Sequence, residues 1–178
     1  MLSCLARGGG GLALSVLVLL GACSPTLDWR EVRPEGSEVV ALFPCKPSTD
    51  ARSVTLDGAR VRMLLTSCRA ADVNWALAYA DVPDPSRVPA ALAALRAALE
   101  ANLGGPAQRV SALQVNGMTP NPLAERVRIQ GKLPAGDAVV LEGGFFAKGP
   151  RVFQATAMGA NLSADAVANF FENLKLPS

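Results

Sequence analysis

The dipeptide Asp57-Gly58 sits between two apolar-rich runs, Ser53 to Leu56 and Ala59 to Cys68. A two-residue hairpin turn needs left-handed backbone at its central positions, and Asp-Gly is among the pairs that supply it most easily. The spacing therefore predicts an antiparallel hairpin. Ala70-Ala71-Asp72 turns the chain again. Val73, Trp75, Leu77 and Tyr79 then alternate with Asn74, Ala76, Ala78 and Ala80. This period of two puts the large side chains on one face of a further strand.

The flanking segments extend the pattern. Residues 28–33 have partial strand alternation, Pro34-Glu35-Gly36 reads as a turn, and Val39 to Phe43 is an apolar strand stopped by Pro44 and Pro47. Asp84-Pro85-Ser86 opens a helix, with Asp84 or Ser86 as cap and proline in the first turn. Val88, Leu92, Leu95, Leu99 and Leu103 form its apolar stripe, and Gly104-Gly105-Pro106 ends it. Gln108 to Val115 reads as a strand. Leu123 to Leu133, Ala138 to Ala147 and Arg151 to Gly159 follow as a meander. A second helix starts at Ser163, a good N-cap, and presents Val167, Phe170, Phe171 and Leu174. The expected fold class is α+β: strands, helix, strands, helix in sequence, with an antiparallel sheet packed against the two helices.

The first 22 residues are not expected to belong to that domain. An apolar run from Gly11 to Ala22 follows a single charge, Arg7, and is too short for a membrane span of roughly 20 residues. It ends in Leu20-Gly21-Ala22-Cys23, which resembles the lipobox of bacterial lipoproteins. The resemblance implies a signal peptide over 1–22 and a lipidated tether over 23–27. Residues 28–178 then form a single domain. Cys23 would carry the acyl chains, palmitate among them, that hold the protein to a membrane. In Gram-negative lipoproteins an Asp after the lipidated cysteine tends to retain the protein at the inner membrane. Ser24 is compatible with the outer membrane, facing the periplasm. Fully extended, residues 23–39 span at most about 55 Å, so the domain is expected near the bilayer.

Cys4 lies in the leader, which leaves Cys45 and Cys68 as an even pair in an oxidising compartment. A structural disulfide is the ordinary reading, and closing a loop of this size stabilises by roughly 3 kcal/mol. A redox-active pair is the alternative, but such thiols are usually closer in sequence, as in Cys-x-x-Cys.

Composition narrows the chemistry. There is no histidine, so neither a Ser-His-Asp arrangement nor a His-ligated zinc or haem is available. Of 17 basic side chains one, Arg7, is in the leader, which leaves 16 against 15 acidic ones. Near-neutrality and 5% aromatic residues argue against nucleic-acid binding. No glycine cluster is set out as a phosphate loop. No metal or cofactor is expected.

Val39-Val40-Ala41-Leu42-Phe43-Pro44-Cys45-Lys46-Pro47 resembles the Phe-Pro-x-Lys-Pro strand end of many small bacterial envelope proteins, and Phe170-Phe171-Glu172-Asn173-Leu174 resembles their closing helix. The layout over 28–176 is also similar to the PsbP-like α+β sandwich. That resemblance implies an accessory or assembly role and carries over no catalytic residue.

Four groups are candidate sites. Arg126, Arg128 and Lys132, with Gln130, fall on one face of a strand and would meet an anionic lipid headgroup or acidic protein. A solvated outer sheet face gives the same pattern. Trp29 would touch either the bilayer or the core. Trp75 and Tyr79 read as core, and a pocket lined by them or by Phe residues would instead mark a ligand site. Asp81 with Asp84, or Glu125 with Glu142, are the carboxylate pairs an acid–base hydrolase would use. The expectation is a non-catalytic, lipid-anchored module of the cell envelope that engages the membrane through Cys23 and an envelope protein partner. Small-ligand binding in a cleft between helix and sheet is the alternative.

Overall fold

A computed structural model describes residues 26–177. The signal peptide, Cys4 and the proposed lipidation at Cys23 fall outside the described residues. In chain order the strands are β1 (Arg30–Val32), β2 (Ala41–Phe43), β3 (Ser48–Leu56), β4 (Ala59–Ala70), β5 (Val73–Asp81), β6 (Gln108–Ala112), β7 (Glu125–Lys132), β8 (Ala138–Lys148) and β9 (Arg151–Gly159). Helix α1 (Val88–Leu103) lies between β5 and β6, and α2 (Ala164–Glu172) follows β9.

The fold is α+β. Seven strands form one sheet in the order β3-β4-β5-β9-β8-β7-β6, and every neighbour pair is antiparallel. The Asp57-Gly58 turn forms as its sequence requires: φ is 48° and 78° at the two positions, and Leu56 closes onto Ala59. Asp84 caps the short 3-10 turn Pro85–Arg87 by accepting the Ser86 amide. Helix α1 stops where Gly104 adopts the left-handed conformation, φ 65°. Ser163 caps α2 through the Ala166 amide.

Each face of the sheet buries a separate core. Helix α1 covers one face with Val88, Ala91, Leu92, Leu95 and Leu103, packed on Val127, Ile129, Leu141, Phe145 and Val152. Helix α2 covers the other with Val167, Phe170 and Phe171, which meet Trp75, Leu77, Phe146 and Phe153. The rings of Phe146 and Phe153 stack at 4.7 Å, and Phe170 meets Trp75 edge-on at 5.3 Å.

Three expectations are corrected. The first is the single sheet packed against two helices. β1 and β2 form a two-stranded sheet of their own. Val39, Ala41 and Phe43 are fully buried against the α2-side core, so their backbone pairs with β1 and the C-terminal segment rather than with a large-sheet edge. Val40 and Lys175 exchange amide-to-carbonyl bonds of 2.7 and 2.9 Å. The second is the start of the hairpin, which is Ser48 and not Ser53. Residues 48–52 are exposed, so they carry no apolar pattern, yet their backbone completes the ladder from Ser48–Ser67 to Arg52–Met63. The third is the strand from Gln108 to Val115. It breaks register between Arg109 and Ser111 and ends at Ala112, after which Leu113 and Val115 turn inward to the α2-side core.

Cys45 and Cys68 are joined in a disulfide with Cα atoms 6.0 Å apart. It ties the segment after β2 to β4, beside Trp75 in the ladder.

Candidate functional site

The basic row on β7 is engaged within the protein. Arg126 Nη2 and Arg128 Nη1 each donate to the Glu142 carboxylate at 2.8 Å. The Arg126 guanidinium also lies 4.6 Å from the Phe171 ring centroid. Lys132 is exposed at the end of the strand. Two of the three basic groups thus balance a carboxylate that is itself buried.

Neither candidate carboxylate pair is assembled. Glu125 and Glu142 sit on neighbouring strands, but the register places Glu142 opposite Arg128 and Glu125 opposite Phe145. Alternation then puts the two carboxylates on opposite faces of the sheet. Glu125 instead meets Arg96 of α1 at 2.9 Å and Arg109 at 3.4 Å. Asp81 accepts two bonds from Arg151, at 2.7 and 2.8 Å. Those bonds hold its carboxyl below the ordinary carboxylate range, against a smaller desolvation effect. Asp84 is occupied by the Ser86 amide and hydroxyl.

The aromatic residues are core. Trp75 and Tyr79 are almost fully buried and pack against Phe170 and Phe153 respectively. Helix α2 and β2 cover these two side chains on that face of the sheet. Trp29 packs edge-on against Trp75 at 5.9 Å and remains partly exposed. The Tyr79 hydroxyl donates to the Glu35 carbonyl, and burial pushes its pKa up.

The open site lies on the opposite face, between the C-terminal half of α1 and the uncovered corner of the sheet. It is a groove of about 680 Å³, within the ~300–1,000 Å³ range of ligand pockets. Two cross-strand rows supply its floor. Ser67, Ala76, Thr156 and Gly143 face one another across β4, β5, β9 and β8, and Arg69, Asn74, Met158 and Leu141 form the next row. The first row is made of small side chains, which keeps the floor low. Leu99, Asn102 and Leu103 form the helical wall, and Leu133 and Pro134 of the β7–β8 loop close one end.

Backbone contact fixes that wall in place. A Cβ on Gly131 of β7 would overlap the Leu103 carbonyl oxygen, and one on Gly105 would overlap the Gln130 carbonyl oxygen. A Cβ on Gly143 would stand 3.2 Å from Leu99 Cδ1. The end of α1 therefore sits directly on β7 and β8; earlier turns of the helix share a core with Ala80 and Val152, and the corner around Ser67, Ala76 and Thr156 is left open.

No motif announces these residues. The nearest signal is the alternation of β5, where Asn74, Ala76 and Ala78 are small opposite a face of Val, Trp, Leu and Tyr. Such a face offers little bulk to a covering helix. Among the described residues, Arg69 is the one charged residue lining the groove; it pairs with Asp72 at 3.2 Å, and both side chains are largely exposed. Among the described residues, no three His, Cys, Asp or Glu side chains gather to hold a metal, and no helix is long and apolar enough to cross a membrane. The chain matches no known family model, and no curated protein matches it.

Proposed function

We propose that this chain is a lipoprotein of the bacterial cell envelope, held to a membrane by acyl chains on Cys23, whose domain binds a small ligand without transforming it. The groove between α1 and the sheet carries the binding part of this reading. It combines a largely apolar lining, a few polar groups on its floor and a wall fixed by close backbone packing. The address rests on the lipobox-like Leu20-Gly21-Ala22-Cys23, and the Cys45–Cys68 disulfide is in keeping with an oxidising compartment. Leu27 and Trp29 already pack on the α2-side core, so a lipid on Cys23 would hold the domain close to the bilayer surface. The outer membrane, with the domain facing the periplasm, is the proposed location. A role as accessory to another envelope protein is compatible with ligand binding, and the exposed Lys132 and the outer side of Arg128 remain the surface proposed for it.

Two measurements test this reading. Clickable palmitate should label the wild-type chain in cells and leave Cys23→Ser unlabelled and released from the membrane fraction. An unlabelled wild-type chain contradicts the anchor. Nile red, a neutral apolar dye, should bind the folded Cys23→Ser chain saturably at one site. A folded protein that shows no saturable binding contradicts the groove.

A further inference from the structure

The groove is chemically asymmetric along its length. At its β3–β4 end the lining is mainly polar, Ser48, Ser67, Arg69 and, on β5, Asn74, beside Leu65 and Cys68 of β4. At its α1 end the lining is mostly apolar, Leu99, Leu103, Leu133, Pro134 and Leu141, with Asn102 as its one polar side chain among the described residues. Between them lie Ala76, Thr156 and the flexible side chain of Met158, which adapts to irregular apolar ligands. From this polarity we infer that the groove takes a single-chain anionic amphiphile, tail against the leucines and head at Arg69. The inference rests on the ligand-binding reading above and names the ligand class.

Length and charge support the assignment. The floor crosses β3, β4, β5, β9 and β8. Five strands set about 4.8 Å apart span roughly 19 Å. One acyl chain fills half of a ~30 Å hydrocarbon core, about 15 Å. That leaves space for a headgroup at the polar end. Among the described residues the groove lining itself holds no carboxylate; Asp72, paired with Arg69, stands beside it, and an anionic headgroup has to take its place. The Arg69–Asp72 pair is solvent-exposed at 63% and 94% of the two side chains, which makes it weak. A carboxylate or phosphate held against apolar walls gains a charge-assisted hydrogen bond from the same guanidinium. A free fatty acid and a lysophospholipid share this chemistry.

The test uses the full chain carrying Cys23→Ser, with Nile red bound and then displaced. Dodecanoate and lauroyl lysophosphatidylglycerol are the two anionic probes, and dodecanol is the uncharged control with the same tail length. Anionic probes should displace the dye roughly tenfold better than dodecanol. Arg69→Gln should erase that preference and leave dodecanol unchanged. Displacement by only one anionic probe identifies its lipid source. If dodecanol competes as well as the anions, or Arg69→Gln changes nothing, the class is wrong while dye binding keeps the groove as a site. Ala76→Phe, which fills the floor, should abolish binding of every probe; undiminished binding overturns the placement. Should Ala76→Phe fail to fold, a dodecanoate bearing a terminal diazirine replaces it. Crosslinks to the Leu133 and Leu141 peptides support the assignment, and crosslinks to Leu27 or Phe170 overturn it.

Discussion

Leu99 stands directly over Gly143, so close that a single methyl added to the glycine would come within 3.2 Å of the leucine. That contact sets the height of α1 above β8. With the backbone contacts of Leu103 on Gly131 and Gln130 on Gly105, it anchors one wall of the groove. On the far side, the small side chains of Ala76 and Thr156 leave space that becomes a cavity.

Gly131→Ala should therefore damage both packing and binding. The new Cβ meets the Leu103 carbonyl and not a movable side chain, so the end of α1 has to lift. Overpacking of this kind costs about 1–3 kcal/mol. Thermal melting should show a lower midpoint, and Nile red affinity should fall with it. An unchanged midpoint would mean that the helix end is not seated as described.

Removing the disulfide should cost about 3 kcal/mol, through the loop it closes in the unfolded chain. Cys45→Ala with Cys68→Ala is the clean comparison, since it leaves no free thiol. Urea unfolding of the two proteins measures the difference. The loss is predicted to weaken groove binding as well, because Cys68 lines the groove between Ser67 and Arg69 and the bridge holds that end of its floor.

Glu142→Gln should be more harmful than a surface substitution. It would leave Arg126 and Arg128 facing a neutral amide, with Arg126 only 19% exposed at its side chain. Breaking a partly buried charge cluster of this kind costs roughly 2–3 kcal/mol, since the remaining charges lose their partner without regaining full hydration. Chemical denaturation reads the effect. A loss below a few tenths of a kcal/mol would show that the pairs are solvated and that the row is available to partners.

Asp81 supplies a pH dependence. Its hydrogen bonds from Arg151 lower the carboxyl pKa below the usual 3.8. A carboxyl depressed in the folded state stabilises above its unfolded pKa and loses that contribution as pH falls through the folded value. Wild type and Asp81→Asn should therefore differ in stability above about pH 4 and converge under more acid conditions. Arg151 also donates to the Gly36 carbonyl and lies 5.1 Å from the Tyr79 ring centroid, so the substitution should loosen the 34–38 turn as well. Equal stabilities at neutral pH would remove the ion pair from the account.

Local chemistry was legible in the sequence. Asp57-Gly58, the Asp84 cap, the α1 stripe and Ser163 each act through neighbours a few residues away, and each appears where its residue types place it. Long-range pairing was not. Nothing within residues 30–43 says that β1 and β2 leave the large sheet, because that choice depends on Trp75 and Phe170 accepting Phe43. The basic row was visible, but its neutralisation depends on a register that brings Glu142 opposite Arg128. The groove was least visible. It is built from single small residues on four strands and from the point where α1 ends, and neither leaves a motif.

The most direct test is a methionine-methyl NMR titration of the Cys23→Ser chain with dodecanoate. Met158 lines the groove, whereas Met118 packs against the core on the other face of the sheet. The account predicts that the Met158 methyl shifts saturably while Met118 stays where it is. A Met158 signal that does not move while dodecanoate binds, or a response at Met118 in its place, would contradict it.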